Sequence, residues 1–394
     1  MILEITIALL LGVISGTLTG LTPGIHTNLI AILFLPLSAR FSPTTFILFL
    51  VSMAITHTFL DFIPSIYLGA PDEDTALGVM PGHKFLLKGN GNKAVLLTLI
   101  GSSSSILLLL LIIPLFILFV PIIYPFIEKM IGFILIWISF FLIYSEKNLK
   151  LQSFIIFILA GFLGIASLNL NTPQPLLPLL TGLFGSSTLI YSISKNTIIP
   201  QQKIEKFKIK IKQIIKPSIA TAIVSPIFSF LPGLGSSQAA IVSSQIIKQS
   251  KEQFLILLGS INTLVMSVSF LTLYLTGKTR TGTAAAISQI TSITSEQLVI
   301  IFLAVFCSSI ISIFLTIKIS KWFAKNIHKF NYSKISILII LLLIIIIFIF
   351  SGFLGIFILI ASTILGLTCT YFKVRKGFLM GSLLIPTILF YLPF

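Results

Sequence analysis

The chain has 394 residues, 56% of them hydrophobic and 9% charged, with a mean hydropathy of +1.12 and a formal net charge of +16. A soluble domain covers its surface with roughly 25% charged residues, so this composition excludes a water-solvated globule and predicts a polytopic membrane protein. The positive balance does not point to nucleic acid: Lys and Arg fall in short loops between apolar runs, as cytoplasmic loops do.

In chain order, MILEITIALLLGVISG has no Lys or Arg before Arg40, so it lacks the basic start of a cleaved signal peptide and reads as a first membrane helix. LTPGIHTNLIAILFLPLS (21–38) then puts Pro23 and Gly24 after an apolar helix, follows them with His26, Thr27 and Asn28, and resumes an apolar helix. In SMAITHTFLDFIP, His57 and Asp61 stand four residues apart on one helix face. Intramembrane ionisable groups usually face a cavity and handle ions or protons, although a pair snorkelling from a helix end has the same spacing. LGAPDEDTALGVMPG (68–82) is a second polar interruption and carries Asp72, Glu73 and Asp74.

The runs 106–120 and 335–362 reach or approach the roughly 20 apolar residues that span a bilayer. Crossings are also expected at 151–170, 178–194, 335–350 and 353–372. Between the halves lies the loop 194–217, with seven lysines against one Glu. Beyond it FLPGLGSSQAAIVSSQII (230–247) repeats the first interruption with Pro232, Gly233, Gly235, Ser236, Ser237 and Gln238. Asn262 and Thr263 bring polar groups into an otherwise apolar helix, and LTGKTRTGTAAAISQ (275–289), with Lys278 and Arg280, repeats the second. Pro23 and Gly69 are 46 residues apart; Pro232 and Gly277 are 45 apart. Two matched features at matched separation predict an internal duplication: a first membrane repeat over 1–194, a basic cytoplasmic linker over 195–216 and a second repeat over 217–394.

Placing Lys147/Lys150, Lys203–Lys216, Lys318–Lys334 and Lys373/Arg375/Lys376 in the cytoplasm puts the N-terminus outside. This requires each Pro-Gly segment to be re-entrant and each second interruption to cross as a broken helix. Lys248 and Lys251 then fall outside, which is the misfit of the scheme. The expected fold is all-α, with about 12–14 membrane segments in two inverted repeats with re-entrant or broken helices.

A chain break at membrane depth persists where protein or a cavity covers it. A helix starting after such a break aims its first N–H groups at the cavity, which suits an anion. The candidate substrate-binding residues are therefore Pro23, Gly24, His26, Thr27, Asn28, Pro232, Gly233, Gly235, Ser236, Ser237, Asn262, Thr263, Lys278 and Arg280. A packing kink is the plain alternative, weakened because the motif occurs twice. His57, Asp61, Asp72 and Asp74 are candidates for a coupling Na⁺ or H⁺. The Asp72–Asp74 acids and the Lys278/Arg280 bases read either as a gate pair or as aqueous loop charges.

Histidines 26, 57, 83 and 328 have no metal spacing, Cys307 and Cys369 stand alone in apolar stretches, and the chain has no P-loop and no Gly-x-Ser-x-Gly elbow. No enzyme, no metal and no cofactor beyond a coupling ion is expected.

The order of residues 16–38, 64–94, 178–193, 229–240 and 277–284 resembles the large membrane subunit of tripartite tricarboxylate transporters (TctA), in its shorter archaeal branch. The resemblance implies uptake of small carboxylates driven by an ion gradient, with a small membrane subunit and an extracytoplasmic binding protein as partners. The sequence departs from the pattern at Thr188, where an acidic residue is expected, at His26, where a small one is expected, and at Lys278–Arg280, in place of a second Pro-Gly. Polyprenyl-phosphate translocases also carry duplicated Pro-Gly re-entrant segments, so a lipid-carrier flippase is the alternative. A non-transporting scaffold has no use for duplicated breaks. The reading is thus a multi-pass permease of the cell membrane for a small anionic solute, in contact with membrane lipid; a homodimer is compatible with it.

Overall fold

The computed structural model describes residues 2–392 except 24, 71–73, 145, 147–148, 195–197, 205–206, 231–234 and 280. The described residues form helices and connecting turns, with no strand. The first half contains α1 (Ile2–Leu21), α2 (Thr27–Phe34), α3 (Pro43–Leu60) continued by α4 (Phe62–Tyr67), α5 (Val79–Leu86), α6 (Gly91–Tyr144), α7 (Lys150–Asn169), α8 (Leu176–Leu180) and α9 (Ser187–Ser194). The second contains α10 (Ile211–Phe228), α11 (Ser236–Ile246), α12 (Lys251–Thr276), α13 (Gly282–Ile290), α14 (Ser295–Asn326), α15 (Tyr332–Tyr371) and α16 (Gly381–Tyr391). Eight helical stretches are long and apolar enough to span a bilayer. Together with the family reported below, they make the chain a multi-pass, all-α membrane protein.

α3–α4 and α12 form the centre. Their apolar windows are each 94% buried, against 28% for α6 and α15, whose Leu107, Leu110, Leu338 and Ile345 point outward. Lipid is as apolar as leucine, so burial in a membrane bundle is driven by close backbone approach and hydrogen bonding. Gly12, Gly16 and Gly20, one turn apart on α1, face α3 so tightly that an added Cβ would lie 2.5, 2.4 and 2.9 Å from its atoms. Ser267, Ser269 and Thr272 of α12 satisfy their hydroxyls on carbonyls of their own helix.

Contacts fix the course of the chain. α1 meets α3 in rising order, Gly12 beside Phe49 and Gly20 beside Leu60, so the two run parallel and residues 22–42 carry the chain back. α10 and α12 are parallel for the same reason, because Gln213 reaches Glu252 and Thr272 reaches Ser229. α14 runs with α3, Gln297 against Thr44 and Thr316 against the Phe59 carbonyl. α6 begins alongside α12, Lys93 pairing Glu252 at 2.6 Å and Ser102 donating to the Gly259 carbonyl. Gly91, at the start of α6, abuts Tyr67, at the end of α4, so α3 and α12 run in opposite directions.

Two helices cross twice. α6 has 54 residues and prolines at 114, 121 and 125; at about 1.5 Å per residue it would be about 80 Å long if straight. Its start pairs with Glu252 and Leu142, near its end, lines a cavity with Phe254, so both ends reach the N-terminal end of α12. α15 bends at Gly352, φ +66°: Tyr332 lies beside Gly69, Ser351 donates to the Gln174 carbonyl, and Tyr371 packs on Tyr191. The crossings expected at 151–170, 178–194, 335–350 and 353–372 match helical stretches.

Two expectations from charge change. The second interruptions do not cross as broken helices. After α4 the chain doubles back, so that the Thr75 carbonyl accepts from Ser65, and α5 then climbs beside α4 again, with Gly82 against Ile66. After α12 it doubles back to bring Thr281 beside Ser269. The required crossing comes instead from the second pass of α6, where Pro114, Pro121 and Pro125 and the adjacent Glu128 and Lys129 interrupt a long apolar run. Lys251 in turn starts α12 at the end where Gln213, in the last residues of the basic linker, meets Glu252. The misfit of the charge argument disappears because α12 starts at the same end as α10.

Candidate functional site

α3 and α12 touch through polar groups at mid-length. The Asn262 amide donates to Asp61 Oδ2 at 2.7 Å, and the Thr58 and Thr263 hydroxyls lie 3.2 Å apart. His57 and Asp61, each 1% exposed, face each other across one helical turn with Nε2 4.0 Å from Oδ2. The Thr19 hydroxyl of α1 donates to the Gly16 carbonyl and so accepts from His57 Nδ1 at 3.0 Å. This bond fixes a proton on Nδ1 and turns Nε2 toward Asp61.

The interruptions converge on this crossing. His26 begins α2 as its own cap: Nδ1 accepts from the Asn28 N–H at 3.2 Å, with the Thr27 hydroxyl 3.4 Å away. With Nδ1 an acceptor, the proton sits on Nε2, which points at Asp74 Oδ2 3.7 Å away. The His26 ring meets the His57 ring edge-on at 5.0 Å. Asp74, from the second interruption of the first half, caps α11 in the second half: the Ser236 N–H donates to Asp74 Oδ1 at 2.6 Å, and the Ser237 hydroxyl donates to the Asp74 carbonyl at 2.9 Å. The Gly235 N–H is taken by Gln238. A carboxylate here is stabilised by the N–H donors and the positive end of α11. The remaining contact is the converse: Gly282, at the start of α13, lies so close to Asn28 that an added Cβ would approach Asn28 Cβ to 2.7 Å.

The structure thus brings together His26, Thr27, Asn28, His57, Asp61, Asp74, Gly235, Ser236, Ser237, Asn262 and Thr263, with Pro23 three residues before His26. It separates Lys278, whose ammonium pairs with Glu128 of α6 at 3.4 Å, both groups largely exposed. Of the two readings of these charges, a gate pair or aqueous loop charges, a pair between Asp74 and Lys278 is not formed; Asp74 meets a helix terminus and His26 instead. Gly24, Asp72, Pro232, Gly233 and Arg280 lie outside the described residues. Thr19 and Thr58, unremarked in the sequence, complete the cluster. Thr19 lies next to the last glycine of the α1 stripe and Thr58 next to His57, which is the only signal that marked them.

The model of the tripartite tricarboxylate transporter TctA family matches residues 6–381. An uncharacterized protein of Methanocaldococcus jannaschii is 31% identical over 98% of each chain. No solved structure matches.

Proposed function

The chain belongs to the tripartite tricarboxylate transporter TctA family, and from that premise we propose that it is the permease of an ion-coupled carboxylate uptake system. The family is one of transporters, not of enzymes. In this reading α1–α2 and α10–α11 are re-entrant hairpins of two inverted repeats, and a small carboxylate binds where their tips meet the second interruptions. A small membrane subunit and an extracytoplasmic binding protein complete the system and deliver the solute.

One observation carries the reading: the Asp74 carboxylate sits on the Ser236 N–H at the start of α11. The site already holds a carboxylate, supplied by the chain itself. A substrate carboxylate entering the site replaces Asp74 there. The displaced Asp74 keeps His26 as its neighbour and, with Asp61 and His57, offers oxygen and nitrogen groups to a co-transported Na⁺ or H⁺. Nothing in the site favours a lipid carrier, whose polyprenyl chain needs a continuous apolar path to the break.

The test is a ligand panel on the purified chain in nanodiscs. Citrate and smaller di- and tricarboxylates are expected to raise the melting temperature by mass action; the corresponding neutral amides are not. Equal effects from acids and amides, or none from either, would contradict the carboxylate reading.

A further inference from the structure

The interruptions do not account for the cations at the other end of α5 and α11. A cavity of about 570 Å³ opens there, with Leu77 and Ile241 on its central side, Leu77 three residues past Asp74 and Ile241 four past Ser237. It lies between the two segments that meet at the Asp74–Ser236 contact, displaced toward the basic linker. Lys84, Lys373, Arg375 and Lys376 line it. By charge count alone Lys373, Arg375 and Lys376 are cytoplasmic loop residues, and solvated loop lysines need no cavity.

Two features set them apart from such charges. Lys376 is buried, 8% exposed, and its ammonium is held by the Thr188 and Ser187 hydroxyls and the Phe184 carbonyl. Among the described residues its partners are all uncharged, and the carboxylate of Glu146 goes to Arg375 at 3.0 Å. Burial pushes the Lys376 ammonium down to about 8, which leaves it a cation at neutral pH. Lys373 in turn closes α15 in the left-handed region at φ 57°, with the Val374 N–H returning to the Cys369 carbonyl. Glycine or asparagine takes that position at little cost. A lysine there accepts backbone strain, and its side chain lines the cavity. Such strain persists where a side chain is needed.

We propose that this cavity is the inner vestibule of the carboxylate path, a second and weaker anion site that receives the substrate when it leaves α11 toward the basic end. The proposal rests on the carboxylate reading above. Fixed cations along the mouth raise the local concentration of an anion and guide it. A lipid phosphate is the other source of the same anionic chemistry, and the experiment separates the two.

Citrate is titrated calorimetrically into the full chain in phosphatidylcholine nanodiscs, in the parent and in a Ser236→Pro background that removes the central donor. The parent is expected to bind in two phases and Ser236→Pro to keep the weaker one. Lys373→Asn, which tolerates the left-handed backbone, is expected to weaken that phase about tenfold, and Lys376→Gln at least as much. If Lys376→Gln does not fold, Lys373→Asn decides alone. A weak phase that is missing in the parent, or unmoved by Lys373→Asn, overturns the vestibule. If Ser236→Pro binds as the parent does, the central site fails, while sensitivity of the weak phase to Lys373→Asn still supports the vestibule. Repeating the titration in phosphatidylglycerol discs covers the lipid: loss of the weak phase there, with lipid stabilisation that depends on Lys373, would assign the cavity to a headgroup and overturn the proposal.

Discussion

Asp61→Asn is expected to abolish accumulation of carboxylate against its gradient while leaving exchange of internal for external carboxylate. Asp61 joins α3 to α4 in the most buried stretch of the first half, opposite the middle of α12, its Oδ2 accepting from Asn262 and lying 4.0 Å from His57 Nε2. A carboxylate at that depth costs roughly 2.5–3.5 kcal/mol in a spanning helix, and such residues persist where they carry an ion or a proton. Asparagine has the same shape and still offers an oxygen to Asn262, so packing survives and the titratable, cation-binding charge does not. Proteoliposomes containing the transporter with its partner subunits should lose at least tenfold in gradient-driven accumulation and keep counterflow. Accumulation at the parent level by a normally folded Asp61→Asn protein would place coupling elsewhere.

Gly259→Leu is expected to be among the most costly single changes outside the site, most of the folded protein being lost on solubilisation. A Cβ at Gly259 would lie 2.1 Å from the Thr98 carbonyl oxygen, and one at Gly101 1.9 Å from that of Ile256. Both obstacles are backbone, so the helices have to part. Overpacking typically costs about 1–3 kcal/mol, and more where rigid backbone must move. Separation also breaks the Ser102–Gly259 bond and displaces Asn262, one turn along α12, from Asp61. Leu107→Ala, on the outward face of α6, should leave the size-exclusion profile unchanged. A monodisperse Gly259→Leu protein with parent-like melting would show that the α6–α12 contact is looser than described.

The all-helical, membrane-spanning character was legible because composition and run length leave no other solvent for the surface. The breaks were legible because Pro-Gly pairs punctuate a helix wherever they occur, and their recurrence at matched spacing drew attention to residues that the fold gathers at one crossing. Pairing between breaks was not legible. Asp74 and Ser236 are 162 residues apart, and nothing local to either indicates that one would cap the other. The sequence reading assigned them separate tasks, cation for the acid and anion for the serine, whereas they share one hydrogen bond. The double pass of α6 was hidden because prolines within a long apolar run mark a kink without its angle. Lys278 was placed at the site by its position in the repeat alone, and its side chain goes to Glu128 instead.

The central claim, that the first N–H of α11 receives the substrate carboxylate and Asp74 stands in for it, is tested most directly by citrate affinity in two variants. Ser236 is the first residue of α11 and follows an extended Gly235, φ −84° and ψ 176°, a position where proline fits without disturbing the helix. Ser236→Pro therefore deletes the N–H donor together with the serine hydroxyl, and Asp74→Ala deletes the competing carboxylate. Losing a hydrogen bond to a charged group costs about 1.5–3 kcal/mol, or roughly 10- to 100-fold in affinity. Calorimetric titration of the stronger citrate phase should show Ser236→Pro weaker than the parent by that factor and Asp74→Ala tighter than the parent. Unchanged affinity in Ser236→Pro together with weaker binding in Asp74→Ala would contradict the claim and make Asp74 a substrate ligand or a structural cap.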